Sequence, residues 1–474
     1  LSAILSEILN NFFGDIFMEV TKINERLIVD YKNFLNKGKT ERECVSEIVK
    51  MARENGYKDV SEFKNLKSGD KVYITKMNKA VALFEIGVGQ IENGMNILCA
   101  HIDSPRLDAK QNPIYEKDFV TYLNTHYYGG IKKYQWTAIP LAIHGVICKK
   151  NGETVNVVIG ENQDDPVFCI SDILPHLAQE QMKDKASDFI KGEDLDVILG
   201  MVSPAKRDEN QSKDEKKDAK EKSKKIILAL LKQAYGIEEN DLESAELEIV
   251  PAGKARDLGL DRSMILGYGQ DDRSCAFTSV AAMIETRAQK RTTCCLCVDK
   301  EEIGSVGATG MASNLFENMV AEIVARTEPA YSELTLRRCL ERSCMLSSDV
   351  NAAYDPINAN LYDKENSSML GGGVAFQKYT GSRGKYSASD ANPEFIAIVR
   401  NAMNKANVNY QMAELGKVDQ GGGGTIAYHA AKYGMDVLDA GVAVLSMHAP
   451  WEIASKEDIC QIYECNKAFL VIDK

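Results

Sequence analysis

The chain has no stretch of about eighteen consecutive apolar residues, which excludes a helical membrane span. Nor does it have an excess of basic side chains. Its 57 Lys and Arg against 69 Asp and Glu give a formal net charge of -12, which argues against affinity for nucleic acid or anionic membranes. Cysteine is present twelve times, yet Cys294 and Cys297 form a CxxC pair with no second pair to complete a zinc site. Several cysteines sit inside apolar runs, Cys99 in "NILCAH" and Cys294, Cys295 and Cys297 in "TTCCLCV". They read as small buried hydrophobes in a reducing compartment, so a cytoplasmic location is expected. The partners left by these exclusions are small molecules, peptides or further copies of the chain.

Residues 1–17 carry a helical apolar stripe but no basic residue, so the charged start of a signal peptide is missing. Two readings stay open for them: an extension upstream of Met18, or a helix that docks on a neighbouring subunit. At 474 residues, 44% of them hydrophobic, two domains are expected. Residues 24–55 read as helices and 70–88 as strands with a turn. The region 108–257 contains "PLAIHGVICKKNGETVNVVIG", a hairpin signal, and reads as a β-rich insertion. Within it, 206–225 is almost wholly charged or polar and reads as a solvated loop. The flanking parts, 1–107 and 258–474, then form one discontinuous catalytic domain. From about 264 onward apolar strands alternate with helical stretches, which predicts an α/β fold with a mixed, largely parallel central sheet flanked by helices.

In such sheets functional groups collect beyond the carboxyl ends of the strands. His101 and Asp103 follow "NILCA", Glu301 and Glu302 follow "CCLCVDK", Asp349 follows "CMLSS" and His448 follows "VAVLSM", while Asp271 in "GYGQDDRSCAF" opens a predicted helix. Each piece has an ordinary reading alone, since EE pairs are commoner on solvated helices and Asp349 could cap a helix. Only six histidines occur in the chain, however, and two of them end apolar strands. His126, His144, His176 and His429 have weaker contexts, and His144 within "PLAIHGVI" reads as structural. Histidine and carboxylate together suit zinc or a similar divalent ion, and two ions sharing a carboxylate form a known hydrolytic catalyst. Such a site explains adjacent glutamates: Glu302 binds the ion and Glu301 stays free to take a proton from an activated water.

The ordered set "AHIDSPR", "DDRSCAF", "DKEEIGSVGATG", "LSSDVNAAYDP", "VDQGGGGTIA" and "VLSMHAPWE" closely resembles the aspartyl aminopeptidase family of dinuclear zinc aminopeptidases, from about residue 20 to 474. The resemblance implies that Asp271 bridges two metals, with His101 and Asp349 on one ion and Glu302 and His448 on the other. It further implies that Glu301 is the general base and later acid, and that Asp103 orients His101. The insertion would be a dimerisation domain, the subunits would form a tetrahedral homo-oligomeric dodecamer, and His176 would match a histidine that enters a neighbour's active site. The usual family pattern has Asp-Asn where this chain has Asp271-Asp272-Arg273, a form that resembles the related glutamyl and broad-specificity aminopeptidases. Lys378 lies where the family places a cation for an acidic side chain, with Arg383 and Lys385 as competitors. In "DQGGGGTIAY" no phosphate-loop Lys follows the glycines. The run reads as a substrate-side turn in which Gly422 and Gly423 offer free amides.

The expected activity is removal of the N-terminal residue, acidic by first choice, from small peptides by two divalent ions, zinc by default with cobalt or manganese also fitting. The rival readings are a dinuclear amidohydrolase acting on acylated amino acids and a catalytically silent shell protein.

Overall fold

The computed structural model describes residues 24–203, 221–287 and 290–474. Residues 1–17 and the charged stretch from 206 to 220 lie outside them. The stretch read as a solvated loop continues to residue 225, but its last four residues, Lys222 to Lys225, form the first turn of a helix, Lys222–Tyr235. The reason is the run that follows: Leu228, Leu231 and Tyr235 pack on the apolar face of the insertion's sheet and carry their basic neighbours into the helix.

A nine-stranded sheet organises the molecule, in the order Lys58–Asp59, Lys71–Lys76, Ala80–Glu85, Thr292–Val298, Met95–His101, Cys344–Ser348, Asp436–Gly441, Val374–Gln377 and Tyr410–Met412. Its middle is parallel: Thr292–Val298 and Cys344–Ser348 both pair parallel to Met95–His101, and Asp436–Gly441 pairs parallel to Cys344–Ser348. The outer pairings include antiparallel ones, such as Ala80–Glu85 with Thr292–Val298. Because successive side chains alternate across a strand, Leu98, Ala100, Cys295 and Leu346 join the core on one face and Ile97, Cys99, Cys294 and Met345 the core on the other. Helices cover both faces, with Glu25–Lys37, Gln270–Glu285 and Lys456–Leu470 on the first and Leu315–Thr327 and Glu333–Glu341 on the second. The expected mixed α/β fold is therefore borne out, and its cysteines are buried at the expected places.

The expected insertion carries a six-stranded antiparallel sheet, ordered Thr154–Ile159, Leu141–Cys148, Ala245–Pro251, Arg106–Lys117, Val120–Tyr128 and Val197–Met201. It has its own apolar core around Trp136, Leu141, Ile147 and Ile249. His144 is structural here as read: its ring nitrogens meet Glu43 at 2.8 Å and Glu161 at 3.1 Å.

One strand departs from the sequence reading. "AGVAVLSMH" does not continue a single strand of the main sheet. Asp436–Gly441 pairs with Cys344–Ser348, after which Ala443–Leu445 pairs with Asn351–Ala352 and Glu452–Ser455 in a separate five-stranded sheet. The changeover depends on Gly441, where a Cβ would lie 1.8 Å from the Asp349 carbonyl oxygen. His448 thus approaches the parallel strand ends from a second sheet.

Candidate metal centre

His101 closes its strand and is 1% exposed. Its Nδ1 lies 3.0 Å from the Asp103 carbonyl oxygen and 3.5 Å from the Asp103 carboxylate, which leaves Nε2 pointing outward. The Asp103 carboxylate also anchors the two glutamates. Its Oδ1 accepts the backbone N–H of Glu301 and its Oδ2 that of Glu302, each at 3.2 Å, and Tyr128 donates to Oδ2 at 2.8 Å. The adjacent glutamates open a short 3-10 turn, Glu301–Ile303, entered through Lys300 in the left-handed region at φ 73°. An anion at the start of such a turn matches its free N–H groups. Asp349 directly follows Cys344–Ser348. Glu452 clamps the remaining two groups, accepting the backbone N–H of Asp271 at 3.0 Å and that of His448 at 2.8 Å. The His448 ring is held at Nδ1 by the Gly130 carbonyl, 2.9 Å away.

Asp271 divides its carboxylate. Oδ1 is 3.2 Å from Nε2 of His101, and Oδ2 is 3.2 Å from Nε2 of His448. On the first side, Asp349 stands 3.8 Å from the His101 nitrogen; on the second, Glu302 stands 3.5 Å from the His448 nitrogen. Donor atoms of His101, Asp271 and Glu302, and likewise of His101, Asp272 and Asp349, cluster within 4.8 Å of one another. Glu301 also reaches the cluster, with Oε2 4.0 Å from His101.

The electrostatics call for a cation. Burial and the Asp349 charge push the Glu301 carboxyl up to about 8. Burial and Asp271 raise Glu302 well above the usual carboxylate range. Burial pulls the imidazoles down, but the surrounding carboxylates outweigh it, lifting His448 to about 10 and His101 well above its ordinary value. The field that would hold imidazolium holds a metal ion equally well. Among the described residues, no Lys or Arg lines the cavity of about 600 Å³ that opens on these groups. Glu302 Oε1 is buried without a hydrogen bond. Buried carboxylates are stable only when paired or bound to metal, so the donor set fits zinc, for which mixed nitrogen and oxygen ligation is normal.

Beyond the acidic cluster the cavity is lined by Gln377, Thr380, Gly422, Gly423, Tyr428 and His429. Gly422 has φ 110°, and a Cβ there would meet the Gly381 carbonyl at 2.1 Å, so the loop can be built only with glycine. Lys378 lies at the end of Val374–Gln377, exposed and outside this lining. Arg383 and Lys385 line an adjoining pocket of about 140 Å³ that shares Thr380, Leu415 and Gly422 with the main cavity. Lys385 also pairs with Asp390 at 3.2 Å and lies over the Tyr379 ring. His176 is exposed and is not among the lining residues of its own chain's cavity. The sequence reading missed Tyr128, Gly130 and Glu452. Glu452 stood inside the quoted "VLSMHAPWE", but a carboxylate that only clamps two N–H groups has no signature of its own.

Paired imidazoles and a divided carboxylate at the ends of parallel strands define a metal-dependent hydrolase of the zinc-peptidase type. Residues 34–470 match the family described as Aminopeptidase I zinc metalloprotease (M18). The chain is 55% identical over 444 residues to the probable M18 family aminopeptidase 1 of Clostridium acetobutylicum, covering 93% of each. Its fold matches the crystal structure of the M18 aminopeptidase of Thermotoga maritima with a TM-score of 0.88 at 41% identity, over 95% of this chain and 97% of that one. The S. cerevisiae mApe1 dodecamer, 20% identical with a TM-score of 0.72 over 94% and 96% of the two chains, is a likeness of fold. The chain belongs to the M18 family: it is a zinc-dependent aminopeptidase.

Proposed function

We propose that this aminopeptidase works with two divalent ions bridged by Asp271, and that it prefers peptides with an acidic first residue. The observation that carries the two-ion reading is the divided carboxylate, whose oxygens are each 3.2 Å from a different imidazole. His101 and Asp349 would hold one ion, and Glu302 and His448 the other. When bound, the ions supply Lewis acidity that polarises the scissile carbonyl and acidifies the attacking water. Glu301 stands farther from His101 than Asp271 and Asp349 do, so it is the carboxylate left to receive the water's proton. It then hands that proton to the departing amine. Asp103 fixes the turn on which Glu301 is carried, and its carbonyl fixes the tautomer of His101.

Support for the acidic preference is the basic rim: Arg383 and Lys385 line the pocket that continues the cavity, and Lys378 lies between the lining residues Gln377 and Thr380. A guanidinium or ammonium there would pair with a carboxylate side chain. The free amides of Gly422 and Gly423 would face the substrate backbone.

The inserted region 108–257 serves as the dimerisation domain, and the chains assemble as a tetrahedral dodecamer that admits small peptides, with His176 entering a neighbour's site. What supports this assembly is the family resemblance and the dodecameric state of the mApe1 relative. A cytoplasmic setting is supported by the twelve free cysteines; among the described residues no helix is long and apolar enough to cross a membrane.

The test is release of the first residue from aminoacyl substrates of acidic, apolar and basic type by metal-stripped protein resupplied with Zn, Co or Mn. Metal-restored cleavage favouring Asp or Glu is expected. Cleavage with no acidic preference would overturn the role given to the basic rim.

A further inference from the structure

The glycines at 421 to 424 have more backbone freedom to lose than any other residues in their place would, so amides that face a substrate from this run have to be fixed from outside. Packing does not fix all of it: at Gly423 and Gly424 a Cβ would meet no atom of the described residues within 4 Å. The Gly421 N–H donates to the Lys417 carbonyl at 2.8 Å, and the Gly381 N–H donates to the Gly423 carbonyl at 2.6 Å. Lys417 and Gly381, however, lie in loops themselves.

Thr425, which closes the run, reaches the central sheet. Its Oγ1 donates to Asp439 Oδ1 at 2.6 Å and accepts the N–H of Ala427 at 3.3 Å, so the hydroxyl hydrogen is committed and is not left for substrate. Asp439 is 1% exposed and stands in Asp436–Gly441, level with Ser347 on one neighbouring strand and Gln377 on the other. The strand that carries Ser347 is the one that Asp349 follows. Burial pushes the Asp439 carboxyl up to about 7, with the Thr425 hydroxyl pulling the other way. A buried acid costs stability, and no step of the scheme above uses this one.

We infer that Asp439 is a positioning residue for substrate: through the Thr425 hydroxyl it ties the glycine run to the sheet that carries the metal centre. The inference rests on the reading that the amides of Gly422 and Gly423 face the substrate backbone. With the tie in place the run is ordered before substrate arrives. Without it, substrate binding has to supply the cost of ordering the run. The loss then falls on binding and not on the chemical step, because the groups that meet the reacting atoms stay where they are.

The experiment is steady-state kinetics on a tripeptide with zinc-loaded, full-length wild type, Thr425→Val, Thr425→Ser and the double variant Thr425→Val, Asp439→Asn, each protein also being melted. Thr425→Val raises KM by about 10- to 100-fold, the equivalent of one hydrogen bond to a charged group. Its kcat stays within about twofold, as does Thr425→Ser in both constants, because the serine keeps the hydroxyl. Thr425→Val also melts lower, since it strands the Asp439 carboxylate, and removing that charge in the double variant moves the melting temperature back toward wild type while KM stays raised. The double variant has no stranded charge, so it reports even if Thr425→Val does not fold. A wild-type KM in Thr425→Val would overturn the inference. So would a KM that recovers together with the melting temperature, which is what a merely structural carboxylate predicts, or a loss confined to kcat. Gly423→Val tests the reading beneath: an unchanged KM there would count against contact between the run and substrate. A raised KM there beside a wild-type KM in Thr425→Val would remove the role of Asp439 alone.

Discussion

Asp103 and Glu301 are joined through the backbone: the Asp103 carboxylate accepts the N–H of Glu301 at 3.2 Å and, with its other oxygen, that of Glu302. One buried carboxylate therefore positions both adjacent glutamates. Asparagine at 103 keeps one acceptor oxygen but loses the other and the charge. Asp103→Asn should lower kcat by about 10- to 100-fold with little change in KM, because the turn that carries Glu301 loosens while the substrate pocket is untouched. Steady-state kinetics on protein of verified metal content check this; an unaltered kcat would show that the turn holds without Asp103.

Glu301→Gln removes the proton carrier and keeps the shape. Loss of about 10²- to 10⁴-fold in kcat is expected, with metal content and assembly as in the wild type. Retained hydrolysis would reassign the base.

Arg106 joins the insertion to the N-terminal helices. Its guanidinium lies 3.4 Å from Glu41 and 3.0 Å from Glu248, all three side chains at most 3% exposed. Glu41 also has Lys79 at 3.3 Å, but removing the guanidinium strands Glu248, and breaking a buried pair costs about 3–5 kcal/mol. Arg106→Ala should be destabilised to that extent in chemical denaturation, and a loss smaller than about 1 kcal/mol, the range of exposed pairs, would show that water already reaches this network.

His144 gives a pH signature away from the metal centre. Burial lowers its imidazole, but Glu161 and Glu43 outweigh it and raise the group above its ordinary value. A raised folded-state value stabilises fully below the unfolded value of about 6.5 and is lost as pH rises through the folded value. The stability gap between wild type and His144→Gln should therefore be wider at about pH 5.5 than at about pH 9, measured by urea unfolding. A constant gap would mean that His144 is neutral in the fold throughout.

Much of the architecture was legible because it is periodic. The alternating apolar strands and helices after residue 264 specified a layered α/β fold, and the rule that chemistry gathers at strand ends singled out His101, Glu301, Glu302 and Asp349. His448 was found for a partly mistaken reason, since its strand leaves the main sheet at Gly441, and a change of sheet alters no hydrophobic period. Glu452, Tyr128 and the Gly130 carbonyl were invisible because partners distant in sequence, Asp271, Asp103 and His448 respectively, are brought to them only by the fold. Gly130 joins the site from the insertion, 318 residues before His448, and only the tertiary fold brings them together.

The central claim is that Asp271 is shared by two ions, and metal content tests it most directly. Elemental analysis of zinc-loaded, gel-filtered wild type and Asp271→Asn should give two ions per wild-type chain and loss of both in the variant, because each position loses the carboxylate oxygen it shares. One ion per wild-type chain, or two retained by Asp271→Asn, would contradict the account.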